Sequence, residues 1–114
     1  MLTYCLKKKI RLLNSMNFQY VFSKPCKKNI QGITILGRIN FLSYPRLGLN
    51  ISRKNIKYAH DRNLIKRLIR ETFRLLQHQL SSMDFIVITK KNILLLSNTQ
   101  KINLLNTLWL NYHR

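Results

Sequence analysis

The stretch from Ala59 to Gln79 constrains the fold more than any other part of the chain, because it reads as a helix with two opposed faces. With Arg62 set at zero and about 100° per residue, Arg62, Lys66, Arg70, Asn63, Arg74 and Arg67 fall within roughly 0–140°. Leu64, Leu75, Leu68, Ile65, Leu76 and Ile69 fall within roughly 200–340°, and Phe73 is the main exception, at the edge of the basic arc. The apolar arc is wide enough to pack on a sheet. The basic arc gathers five cations with only Glu71 at its border, an arrangement that like-charge repulsion makes costly for the helix itself. A merely solvated face mixes signs, so this one reads as a phosphate-binding surface. Arginine dominates it, and a guanidinium binds phosphate bidentately or stacks on a base where an ammonium acts as a point charge. Asn63, in the midst of the cations, offers a donor and an acceptor, suited to a base edge, a ribose hydroxyl or a local hydrogen bond.

The charge of the whole chain agrees. Among 114 residues there are 21 Lys+Arg and 3 Asp+Glu, for a net charge of +18. Self-repulsion of this size needs a polyanion to neutralise it, and nucleic acid is the leading partner. The acids are Asp61, Glu71 and Asp84. Two lie in the basic helix and the third opens an apolar strand, which argues against a site of converging carboxylates such as a glycosidase or a two-metal nuclease requires. Hydrophobic residues make up 46% of the chain, enough for a core, so it is not a disordered basic tail. One domain over residues 1–114 is expected, with an ordered core of about 9–110. Ile, Lys and Asn all have AT-rich codons and are abundant, which suggests an AT-biased genome and a surface partly shaped by mutation pressure.

Residues 1–14 are a basic lead-in. Ser15 is a plausible N-cap for a short helix, Met16 to Phe22, whose Phe18, Val21 and Phe22 share a face. Pro25 ends it. Lys27 to Gln31 reads as a basic connection. Gly32–Asn40 and Arg46–Ser52 both alternate as strands do, and an antiparallel hairpin between them is expected. Asp84–Thr89 predicts a central strand buried on both faces. Ser97 or Asn98 caps a last helix running to about Asn111, and Trp109 and Tyr112 read as packing residues. Nothing in the tail beyond Leu110 predicts an ordered contact.

Cys5 and Cys26 have no CxxC spacing, and His60, His78 and His113 are scattered, so no metal site is expected and the thiols read as free in a reducing cytoplasm. His60 precedes Arg62 and is assigned no catalytic role. The N-terminus lacks the apolar run of a secretory signal, and no stretch approaches the length of a spanning helix.

The run PRLGLNISRKNIKYAHDRNLIKRLIRETFR (residues 45–74) resembles the signature of the bacterial ribonuclease P protein subunit, approximately R-x-G-(L)-x-(V)-x-K-K, with the bracketed positions loosely apolar, followed by A-x-x-R-N-R-x-K-R-x-x-R-E-x-F-R. Arg46, Gly48, Leu49, Lys54, Ala59, Arg62, Asn63, Lys66, Arg67, Arg70, Glu71, Phe73 and Arg74 meet it. Similarity extends to ITILGRIN upstream and MDFIVITKK downstream. Two positions depart: Leu64 replaces the second arginine of the RNR triplet, and Arg53 replaces the first signature lysine.

The resemblance implies an α+β (α-β sandwich) single domain of topology near αβββαβα, similar to ribosomal protein S5 domain 2. A mixed sheet would carry the long basic helix, with a fourth, short strand near Lys27–Ile30. It implies a partner in the ribonuclease P RNA, which holds the catalytic Mg²⁺ together with the substrate, while the protein supplies no catalytic side chain, binds no metal tightly and needs no protein partner. Arg62, Asn63, Lys66, Arg67, Arg70 and Arg74 would meet that RNA. A cleft between the sheet and the first helix would hold the single-stranded 5′ leader of precursor tRNA, with Phe18 and Phe22 at the family's aromatic positions and Arg46, Arg53, Lys54, Lys57 and Lys90 along or near it. On the residues alone, the two aromatics read first as core filling under the helix and second as a stacking platform, and the resemblance reverses that order. The alternatives to this reading are a structural or ribosomal RNA-binding protein without a processing role, and a membrane-surface protein whose helix dips its apolar arc into lipid.

Overall fold

The computed structural model describes residues 15–114; the basic lead-in of residues 1–14 and Cys5 lie outside the described residues. The elements are α1 (Ser15–Ser23), β1 (Cys26–Ile30), β2 (Ile33–Ile39), β3 (Arg46–Asn50), α2 (Ala59–Leu76), β4 (Met83–Thr89) and α3 (Asn98–Leu110). Short 3₁₀ turns at Gln77–Gln79 and Lys91–Leu95 follow α2 and β4. This is the αβββαβα order, and β1 is the short fourth strand.

The strands lie in the order β1-β2-β4-β3. β2 pairs antiparallel with β1 and with β4, and β3 pairs parallel with β4. The hairpin expected between Gly32–Asn40 and Arg46–Ser52 therefore does not form: β4 lies between those two strands. Alternation tells each strand which face to bury but does not name its neighbour. The tight turn sits one connection earlier instead. Gln31 and Gly32 both have positive φ (42° and 91°), the backbone that a two-residue type I′ hairpin needs, and they join Ile30 to its register partner Ile33. Gly32 has a second constraint, since a Cβ there would lie 2.4 Å from the Asn92 side-chain oxygen.

The sheet has a core on each face. On one, Ile33, Ile35, Leu47, Phe85 and Val87 meet Ile65, Leu68, Ile69 and Phe73 of α2 and Leu105, Leu108 and Trp109 of α3. Trp109 is the hub: its ring lies 5.3 Å from Phe85 edge-on and 5.5 Å from Phe73, and its Nε1 donates to Thr72 Oγ1 at 3.1 Å. On the other face, Leu36 and Ile86 pack on Val21 of α1, with Phe18, Tyr20 and Ile88 around them.

α3 starts in a full capping box, Ser97 accepting from the Gln100 amide and Gln100 reaching back to the Ser97 amide. The chain beyond Leu110 is held firmly, contrary to the expectation from its length. The Tyr112 hydroxyl donates, in a shared bond, to the carbonyls of Cys26 (2.7 Å) and Ile35 (3.0 Å). Arg114 Nε donates to Leu80 O, and His113 bridges Leu80. A tyrosine whose apolar ring fills the core while its hydroxyl caps two strand carbonyls anchors the C-terminus to β1 and β2, a contact no local pattern encodes.

Candidate nucleic-acid interface

α2 presents the cationic face, but the arcs are turned from their expected positions. Phe73 is fully buried and Leu75 is 53% exposed. The buried set is Ile65, Leu68, Ile69, Thr72 and Phe73. The core-facing arc is thus centred nearer the Arg62 end than the hydrophobic residues alone indicate. Asn63, Arg67 and Arg70 are exposed, whereas Arg62, Lys66 and Arg74 are half-buried at the margins.

Two of the marginal cations, Arg62 and Arg74, have partners within the protein. Arg62 Nη1 donates to the carbonyls of Ile56 and Lys57, both at 2.9 Å, and so ties the β3–α2 connection to the first turn of the helix. Arg74 pairs with Glu71 at 2.7 Å. Leu64, at the family's second arginine position, packs partly buried against the main core, as a residue on the apolar side of the helix should. Apart from Leu75, the apolar arc that would have entered lipid in the membrane reading packs into the main core with the sheet and α3. No helix among the described residues is long and apolar enough to cross a membrane.

The opposite sheet face carries a cleft of about 450 Å³ lined by Phe22, Lys27, Asn29, Gly32, Thr34, Leu36, Ile88, Lys90 and Asn92. The register explains it: Lys27, Leu36 and Ile86 are cross-strand partners on one face, as are Asn29, Thr34 and Ile88. The floor is Thr34, Leu36 and Ile88, and α1 walls it with Phe22, which is 43% exposed. Phe18 stands 6.4 Å from Phe22, centroid to centroid, and is more deeply packed against the small core. Phe22 and Lys90 are thus brought together as expected. Lys27, Asn29 and Asn92 were not anticipated there. Once Cys26–Ile30 is a strand, period-two alternation puts Lys27 and Asn29 on the cleft side; Asn92 follows only from the 3₁₀ turn that closes over Gly32.

The remaining expected cations lie elsewhere. Arg46 is on the cleft face of the sheet but at its far end, in a bidentate pair with Asp84: Nε to Oδ1 and Nη2 to Oδ2, both 2.7 Å. Asp84 is 1% exposed and also accepts from Asn40 Nδ2 at 3.0 Å. The hydrogen bond to Asp84 raises the Arg46 pKa further above its ordinary value. Arg46 thus holds the sheet together rather than lining the cleft. Arg53, Lys54 and Lys57 are exposed in the β3–α2 connection, outside the cleft lining, with Lys57 Nζ 5.6 Å from the centre of the Tyr58 ring. His60 is exposed, stacked on Tyr58 and 3.4 Å from Asp61.

A mixed sheet with an arginine-rich helix on one side and an aromatic, lysine-rimmed cleft on the other defines a small single-domain α+β protein built to bind polyanions. The comparisons with known proteins narrow this class. The family profile named Ribonuclease P matches residues 6–113. The Ribonuclease P protein component of Buchnera aphidicola subsp. Schizaphis graminum is 66% identical over 114 residues, covering all of both chains. The fold superposes on the RNase P protein of Staphylococcus aureus with a TM-score of 0.82 at 27% identity, covering 90% of this chain and 93% of that one. For the RNase P protein from Thermotoga maritima the values are 0.79, 26%, 91% and 98%. The chain belongs to the ribonuclease P protein family, and as such is a component of the endoribonuclease that processes tRNA and associates with the ribonuclease P RNA.

Proposed function

We propose that the chain serves its ribonucleoprotein as a scaffold with two RNA-binding sides. The exposed guanidinium face of α2 grips the catalytic RNA, and the cleft under α1 receives the unpaired 5′ leader of precursor tRNA. Bond cleavage and the Mg²⁺ ions it uses belong to the RNA subunit and substrate, in the cytoplasm. One observation carries this reading: α1 with its cleft and α2 with its cations pack on opposite faces of one sheet, so a single rigid domain can touch two RNA elements at once.

The residues suit these roles. Arg67 and Arg70 offer planar forks to phosphates. Phe22 offers an open ring face on which any base stacks, worth about 1–3 kcal/mol per base, as a leader of variable sequence requires. Lys27 and Lys90 flank it for the backbone phosphates. Two of the three carboxylates are committed elsewhere, Asp84 to Arg46 and Asn40 and Glu71 to Arg74, and Asp61 lies apart from both beside His60, which supports leaving catalysis to the RNA.

Reconstitution with the RNA subunit of the same genome tests it. The purified chain should cleave no precursor tRNA. Added to the RNA subunit with Mg²⁺, it should lower the ionic strength needed for removal of the leader. Cleavage by the protein alone, or no change in the salt requirement, overturns the proposal.

A further inference from the structure

α1 has only nine residues, too few to hold its own shape in water, and Val21, its one fully buried side chain among the described residues, seats it on the sheet. Its place above the cleft is fixed by something more specific. Arg38 of β2 donates from Nη1 to the Tyr20 carbonyl (2.8 Å) and to Ser23 Oγ (2.6 Å). The same guanidinium lies 3.9 Å from the centre of the Tyr20 ring. The Tyr20 hydroxyl in turn donates to the carbonyl of Ile39 at 2.6 Å. A cation is thus placed at the C-terminal turn of α1, where carbonyls lack intrahelical partners and the helix dipole is negative.

Register explains why Arg38 is free to do this. Arg38 and Arg46 are both cross-strand partners of Asp84 and project from the same face of the sheet. Arg46 takes both carboxylate oxygens, so Arg38 turns to α1. β2 therefore carries the clasp at Arg38 and Ile39 and the cleft floor at Thr34 and Leu36. Tyr20 and Phe22 point to different sides of the helix, about 200° apart. Clamping one sets where the other stands, and any roll of α1 carries Phe22 off the floor.

We propose that Arg38 is a positioning residue for leader binding: through Tyr20 and Ser23 it sets the width of the cleft and the attitude of Phe22. This rests on the reading of the cleft as the leader site, and the experiment separates the two. Affinities of the reconstituted holoenzyme for precursor tRNA and for mature tRNA are measured with the Arg38→Ala, Arg38→Lys, Tyr20→Phe and Phe22→Ala proteins. Arg38→Ala should weaken precursor binding by about tenfold, the scale of a lost charge-assisted contact, and leave mature tRNA within about twofold. Arg38→Lys should recover part of the loss, because an ammonium still caps the Tyr20 carbonyl. Should Phe22→Ala lower the precursor-to-mature ratio while Arg38→Ala does not, the positioning role is wrong and the leader site stands. An unchanged ratio in Phe22→Ala removes the leader site and the proposal with it. If Arg38→Ala cannot bind the RNA subunit for want of folding, Tyr20→Phe decides: a selective loss of about two- to threefold on precursor supports the clasp, and no loss overturns it.

Discussion

Asp84 shows how one residue decides what its neighbours are available for. It is buried in the sheet, accepts from Arg46 and Asn40, and through Asn40 holds the loop from β2 to β3, since the Asn40 amide also donates to the Tyr44 carbonyl and its oxygen accepts from the Leu42 amide. Asp84→Ala leaves a half-buried guanidinium unpaired and should cost about 3 kcal/mol, seen as a lower urea midpoint with an unchanged slope. The α2 cations divide in the same way. Arg62→Ala forfeits two bonds to backbone carbonyls and should lower stability by about 1–2 kcal/mol. Arg67→Ala with Arg70→Ala removes no hydrogen bond or ion pair among the described residues and should leave the urea midpoint in place. That pair should flatten the salt dependence of RNA-subunit binding by about 0.7–0.9 log units per lost phosphate contact. Equal stability losses in the two cases would mean that the margin and the centre of the face are not distinct.

At the scale of elements, much was legible in the sequence. The position and two-faced character of α2, though not the bearing of its faces, the centrality of β4 and the Ser97 cap follow from periodicity and capping chemistry, which are local. The partner of each strand does not. Gly32–Asn40 and Arg46–Ser52 are both good strands with a loop between them, and the side-chain alternation is satisfied equally by a hairpin or by the parallel crossover through α2. The arc of α2 was misplaced for a related reason: Phe73 belongs to the core because Trp109, 36 residues away, comes to meet it. The cleft was legible where it rests on α1 and Lys90, and obscure where it depends on β1, whose CKKNI sequence has little strand character of its own. The packing of Tyr112 was legible, but the ordering of the C-terminal segment was not, because it rests on the Tyr112 hydroxyl reaching β1 and β2. Burial pushes the Tyr112 pKa well above the ordinary tyrosine value. The folded state therefore favours the neutral phenol, and its contribution is whole below pH of about 10 and is lost as the pH rises beyond that, toward the raised folded value. Alkaline unfolding of Tyr112→Phe, followed by Trp109 fluorescence, should lose this component and show a flatter decline above pH of about 10 than the parent chain.

At the scale of the whole molecule, 21 basic residues against 3 acids make a domain that favours a polyanion on more than one side. The layers put the two chemistries apart: guanidinium forks beyond α2, and an aromatic ring with flanking lysines beyond the other face of the sheet. A general RNA-binding protein of equal charge would strengthen every RNA alike, because counterion release carries no sequence or shape information. In the function proposed here, the cleft adds a term that only an unpaired strand can collect. The most direct test is equilibrium binding of the ribonuclease P RNA, with and without this protein, to precursor tRNA carrying its leader and to the same tRNA without it, at fixed Mg²⁺ and ionic strength. The protein should tighten binding of the leader-bearing form by about tenfold or more, the value of one or two stacked bases, and leave the mature form nearly unchanged. Equal gains for both forms would contradict a leader site in the cleft and leave only non-selective electrostatic grip.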